Sequence, residues 1–95
     1  MSWPTDITVS DKGRLMEIVY DDGEIVRLTA ERLRVESPSA EVQGHSPSQR
    51  KIVTGKENVA IVGVEPIGNY AIKIVFDDGH DTGIYSWDYL RKLAM

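Results

Sequence analysis

Apolar and polar positions follow one plan twice along this chain: two-residue alternation, a tight turn, a short return, then helical spacing. Ile7 to Ser10 alternates apolar with hydroxyl residues, Asp11-Lys12-Gly13 signals a turn, and Arg14 to Tyr20 resumes alternation with Met16, Ile18 and Tyr20 on one face. This predicts a first hairpin. Asp21-Asp22-Gly23 predicts a second turn, either a three-residue loop with Gly23 in the left-handed region or a two-residue Asp-Gly turn. The two readings differ by one in register. Glu24 to Leu28 is the return strand. Thr29 then stands at an N-cap position, with Glu31 near the positive end of a helix running from Ala30 to about Val35.

The pattern lapses from Glu36 to Arg50, ESPSAEVQGHSPSQR, where two Ser-Pro-Ser triplets, a Gly and a His leave little to bury. A loop of that length serves either as a mobile connector or as a binding segment. Lys51 to Thr54 suits a short edge strand and Gly55-Lys56-Glu57-Asn58 a turn. Val59 to Val64 has no polar side chain and predicts a central strand covered on both faces, closed by a turn at residues 65–69. Tyr70 to Phe76 alternates again, with Ile72, Ile74 and Phe76 matching Met16, Ile18 and Tyr20. His80 to Tyr85 returns, Ser86 caps, and Trp87 to Leu93 forms the last helix, with Asp88 in its first turn and Arg91-Lys92 in its last.

The echo is also literal. YDDGEIVRLTAERLR and FDDGHDTGIYSWDYLR share an aromatic, Asp-Asp-Gly, a short strand, a hydroxyl cap and Leu-Arg, and the second is longer by one residue between turn and helix. Gly83 is the expected bulge. The fold class that follows is α+β: a mostly antiparallel sheet built from two related hairpin-plus-short-helix units.

Ninety-five residues with 41% apolar content suit one domain spanning residues 1–95. A net charge of −4 and a pI near 5.0, with no dense run of Lys or Arg, argue against nucleic acid as a partner. Having no cysteine, the chain can form neither disulfides nor thiolate metal sites, and it has no cysteine nucleophile. The N-terminus lacks a basic and apolar leader, and no apolar run nears the roughly 18 residues of a membrane span. The expectation is a soluble cytoplasmic protein.

Candidate chemistry is sparse. Asp21, Asp22, Asp77, Asp78 and Asp81 are the carboxylates that a metal or acid/base reading would use, but Asp-Asp-Gly is also what a tight turn demands. The two histidines, His45 and His80, have nothing at ligand spacing around them and read first as ordinary hydrogen-bonding residues. No serine lies in a Gly-x-Ser-x-Gly elbow, no histidine adjoins a triad acid, and the glycines form no phosphate cradle. Tyr70, Tyr85, Trp87 and Tyr89 could stack a ligand; in so small a chain they are expected in the core.

At LRVESPSAEV and FDDGHDTGIYSWDYLR the chain resembles the N-terminal domain of gamma-butyrobetaine hydroxylase and the free-standing bacterial proteins of that family. The resemblance implies a structural zinc position at which Ser37, Ser39 and Val42 stand where the family has cysteines, leaving His80 as the matching ligand. It implies no oxygenase activity, because the iron and 2-oxoglutarate site of those enzymes belongs to a separate domain. The same domain also occurs fused to P-loop ATPases that carry iron–sulfur clusters. The functional expectation is a non-catalytic interaction domain without the zinc site, with no resident cofactor and a protein partner. It would act through the loop of residues 36–50 (Ser37, Pro38, Ser39, His45, Arg50) and the neighbouring His80 face. The alternative is an iron- or zinc-binding accessory protein, using His80, His45 and a carboxylate such as Asp78 or Asp81, in iron or iron–sulfur cluster handling.

Overall fold

Both Asp-Asp-Gly hairpins close through the hydrogen bonds that these three residues can make. The computed structural model describes residues 3–38 and 55–94. Strands β1 (Pro4–Ser10), β2 (Leu15–Tyr20) and β3 (Ile25–Thr29) form one antiparallel sheet in that order, followed by helix α1 (Ala30–Val35). Strands β4 (Ile61–Ile67), β5 (Ala71–Phe76) and β6 (Ile84–Ser86) form a second, followed by helix α2 (Trp87–Leu93). The single sheet expected from the sequence is therefore two three-stranded sheets. Alternation fixes which face of a strand is apolar but not whether two meanders share a ladder.

Of the two Asp-Asp-Gly turns, the first is the three-residue loop. Tyr20 N–H donates to Glu24 O at 2.8 Å, Gly23 N–H to Tyr20 O at 3.0 Å, and Gly23 takes φ 90°. The second repeats it: Phe76 N–H reaches His80 O at 2.9 Å, Gly79 N–H reaches Phe76 O at 3.2 Å, and Gly79 has φ 91°. Glycine occupies this place in both because only it adopts the left-handed region without a Cβ penalty. The carboxylates do structural work there. Asp22 Oδ1 accepts from Glu24 N–H and Asp78 Oδ1 from His80 N–H, both at 3.0 Å. Asp21 and Asp77 each exchange two bonds with a distant backbone residue, Trp3 and Ala60 respectively.

The inner faces of both middle strands meet in one core with both helices. Met16, Ile18 and Tyr20 of β2, Ile72, Ile74 and Phe76 of β5, Leu33 of α1 and Leu90 of α2 are all buried there. Each helix starts at its expected cap: Thr29 Oγ1 accepts from Arg32 N–H at 3.1 Å, and Ser86 Oγ from Tyr89 N–H at 3.2 Å. The charge placement also agrees, with Glu31 and Asp88 in the first turns and arginines in the last.

Three local expectations are corrected. Strand β4 is an edge strand that starts at Ile61 and runs through Pro66 to Ile67. A register shift between Ile61 and Gly63 turns Val62 outward to 64% exposure. An unbroken apolar run cannot reveal such an irregularity, and proline is tolerated because an edge strand has an outward N–H to lose. The return after the second turn is broken, with only Ile84–Ser86 regular. Its pairing slips between Phe76···His80 and Ile74···Gly83, so the extra residue lies between His80 and Gly83. Finally, Tyr70 is 57% exposed, whereas Tyr85 is fully buried and Trp87 and Tyr89 are packed against the core. The expected strand at residues 51–54, and the loop from residue 39 onward, lie outside the described residues.

Candidate functional site

The break after the second turn brings His80 back into the molecule, and the end of α1 brings Ser37 to meet it. His80 is 6% exposed and Ser37 fully buried, with Ser37 Oγ 2.8 Å from His80 Nε2. These residues were expected on an interaction face, and burial removes both from it. Gly83 floors the contact. A Cβ there would come 2.5 Å from Ser37 Oγ and 3.0 Å from Tyr85 Cε1. Tyr85 donates its hydroxyl to Leu33 O, and Tyr89 donates to Glu36 O at 2.6 Å. Two carbonyls at the C-terminal end of α1, which has no helical partners to offer them, are satisfied in this way. Burial pushes the Tyr85 hydroxyl well above the ordinary tyrosine range, against a smaller lowering from its hydrogen bond with Ser37.

Asp78 forms the charged rim of this cluster. Its Oδ2 lies 2.8 Å from Arg34 Nε and 2.8 Å from Lys56 Nζ. Burial alone would raise its pKa. The bonds from Lys56, His80 N–H and Arg34, together with the Arg34 charge, outweigh that and hold the carboxyl well below the usual range. Among the described residues the buried Arg34 Nη1 finds no hydrogen-bond acceptor.

This donor set does not fit a structural zinc site. Zinc takes thiolate, imidazole or carboxylate ligands, whereas here a neutral hydroxyl occupies the Nε2 of His80 and the Asp78 carboxylate is bound by two cations. Among the described residues no group of three His, Asp or Glu side chains gathers. Asp81 is exposed on the irregular return, Pro38 is half-buried, and Ser39, Val42, His45 and Arg50 lie outside the described residues. The Ser37–His80 contact was missed by reading motifs along the sequence. The signal lay in the resemblance, which implies that position 37 and His80 lie close together in the family.

Across the molecule, the equivalent corner is built differently. Arg91 reaches Asp22 at 3.0 Å and Glu24 at 2.7 Å and lies 4.6 Å over the ring of Tyr20. Tyr20 donates to Trp87 O at 2.9 Å. Its hydroxyl is pushed up to about 12, chiefly by burial, with Arg91 opposing. Beside this corner, Trp3, Tyr70 and Trp87 line a surface cleft of about 150 Å³ together with Ser86 and Asp88.

Two antiparallel meanders, each ending in a capped helix and closing jointly over a buried Ser–His contact, define a class of small α+β domains. The chain belongs to the family described as gamma-butyrobetaine hydroxylase-like, N-terminal, which matches residues 7–91. It is similar to the crystal structure of a protein of unknown function of the DUF971 family from Acidithiobacillus ferrooxidans, with 46% identity and a TM-score of 0.80, covering 96% of this chain and 91% of that one. Two proteins solved by solution NMR are similar at 50% and 48% identity, with TM-scores of 0.82 and 0.79. Each match covers 99% of this chain, and 70% and 73% of the respective relatives. No curated protein matches the sequence. No helix among the described residues is long and apolar enough to cross a membrane.

Proposed function

We propose that this domain is a non-catalytic interaction module with a protein partner in the cytoplasm. The observation that carries the reading is the exposure of two large aromatics, Trp3 at 41% and Tyr70 at 57%, beside the half-buried Trp87. Exposed aromatics that share a concavity are the residue types on which binding energy concentrates. Ser37 and His80 have the spacing of a nucleophile and a base, but Ser37 is sealed and the Asp78 carboxylate binds the backbone N–H of His80. Immobilised protein exposed to extract of the source cells tests the proposal. A partner retained by the wild type and lost with a Trp3→Ala/Tyr70→Ala variant of unchanged melting temperature is the expected outcome. Identical retention by both would refute it.

The alternative, an iron- or zinc-binding accessory protein using His80 and His45, has the family position of His80 in its favour and the donor chemistry of Ser37 and Asp78 against it. Elemental analysis after dialysis against a chelator separates the two. Stoichiometric metal that disappears in His80→Ala would put the accessory role first.

The two meander-and-helix units are further proposed to be related copies. Their support is point-by-point: the same turn bonds, the same caps, and register shifts at the start of both β1 and β4. Superposing residues 16–24 on 72–80 of this chain in an experimental structure must bring Ile18 onto Ile74. Failure of that match would make the echo accidental.

A further inference from the structure

The cleft beside Trp87 has a chemistry that narrows what it can hold. Its wall is three aromatic faces, and its acidic residue, Asp88, has no ion-pair partner among the described residues, because Arg91 one turn along is committed to Asp22 and Glu24. Among the described residues neither lysine nor arginine lines it. Two of these residues are also anchored, Trp87 by its ring and Trp3 by its backbone. Trp87 Nε1–H donates to Asn69 O at 3.0 Å, and the backbone of Trp3 is held by Asp21 through two bonds of 2.8 and 3.2 Å. A second groove of about 390 Å³ shares Trp87 and continues along Pro4, Ile7, Val64, Pro66 and Ile72, again with an aspartate, Asp6, and no cation among the described residues.

Resting on the interaction reading above, we propose that this continuous surface docks a partner segment bearing an arginine side chain flanked by apolar residues. The guanidinium would lie against the rings of Trp3, Tyr70 and Trp87 with its N–H fork toward Asp88, and the flanking apolar side chains would enter the groove beside Ile7 and Ile72. Three considerations favour this occupant. Aromatic faces attract cations through the ring quadrupole. A planar guanidinium both stacks on a ring and donates in a fork to a carboxylate, which a lysine ammonium does not. The chain uses the same combination internally, where Arg91 lies over Tyr20 while pairing with Asp22 and Glu24.

The test compares two capped peptides, Leu-Arg-Leu and the same sequence with citrulline, the neutral isostere of arginine. Each is titrated into nitrogen-15-labelled protein while the indole N–H signals of Trp3 and Trp87 are followed. The expected result is saturable movement of both indoles with the arginine peptide and about tenfold weaker binding of the citrulline peptide. Asp88→Asn, a change at an exposed residue, should shrink that difference to the share supplied by the rings, and an undiminished difference would overturn the assignment of the guanidinium to Asp88. Equal affinity for the two peptides would overturn the arginine assignment while leaving an apolar interaction surface. Absence of movement at either indole, or saturation mapping to another face, would overturn the site; the extract experiment with Trp3→Ala/Tyr70→Ala then decides the interaction reading separately.

Discussion

Gly83 is held to glycine by what surrounds it rather than by its backbone, since its φ is not in the left-handed region and the obstacles are the side chains of Ser37 and Tyr85. Gly83→Ala should therefore destabilise the protein by about 1–3 kcal/mol through overpacking. Because the nearest atom is Ser37 Oγ, Ser37→Ala in the same chain should recover part of that loss. A double-mutant cycle by urea unfolding checks it, and strict additivity would contradict the contact. A bulge at Gly83 was legible in the sequence as one surplus residue, though the surplus falls between His80 and Gly83. The close approach was not, because Ser37 lies far away in sequence, beside a loop with no periodicity. His80 was legible by family position, but its burial depends on the return strand breaking after the turn, and no local pattern announces that.

At the scale of elements, both helices were readable because their signals are local: a hydroxyl cap, an acid in the first turn and arginines in the last. The outward turn of Val62 was not, since six residues without polar side chains carry no period. What joins elements is tyrosine. Tyr20 of β2 donates to Trp87 O at the start of α2, and Phe76, its counterpart in β5, has no hydroxyl to do the same for α1. Tyr20→Phe should thus cost about 1 kcal/mol, read as a lower urea midpoint at neutral pH. The same hydroxyl predicts alkaline behaviour. Its folded pKa of about 12 lies above the ordinary value of 10.0, so folding favours the protonated form. The associated stability is complete below about pH 10 and is lost as pH rises toward 12, where the unfolded chain ionises first. Tyr20→Phe should flatten part of that alkaline decline; an unchanged slope would assign the effect elsewhere.

The two halves are closed over one another by exchange: Arg34 of α1 pairs with Asp78 in the second turn, and Arg91 of α2 pairs with Asp22 in the first. Each unit's helix thereby holds the other unit's hairpin, and Arg32 adds a bond of 3.4 Å to Leu93 O at the end of α2. The two ties are unequal. Side chains of Arg34 and Asp78 are 13% and 19% exposed, against 27% and 43% for Arg91 and Asp22, so water and salt screen the second pair more. Asp78 also binds Lys56, and its loss would strand a largely buried guanidinium that already has one nitrogen unpaired among the described residues. Asp78→Asn should therefore lower the urea midpoint clearly more than Asp22→Asn, and added salt should narrow the wild type's advantage over Asp22→Asn more than over Asp78→Asn. The acid limb follows with a definite sign. The folded Asp78 carboxyl titrates well below its unfolded value near 3.9, so its contribution is present above about pH 4 and fades as the solution is acidified below that. Wild type and Asp78→Asn should accordingly converge in stability on acidification, whereas a gap that persisted undiminished to pH ~1 would mean that the carboxylate's charge is not what fastens the two halves.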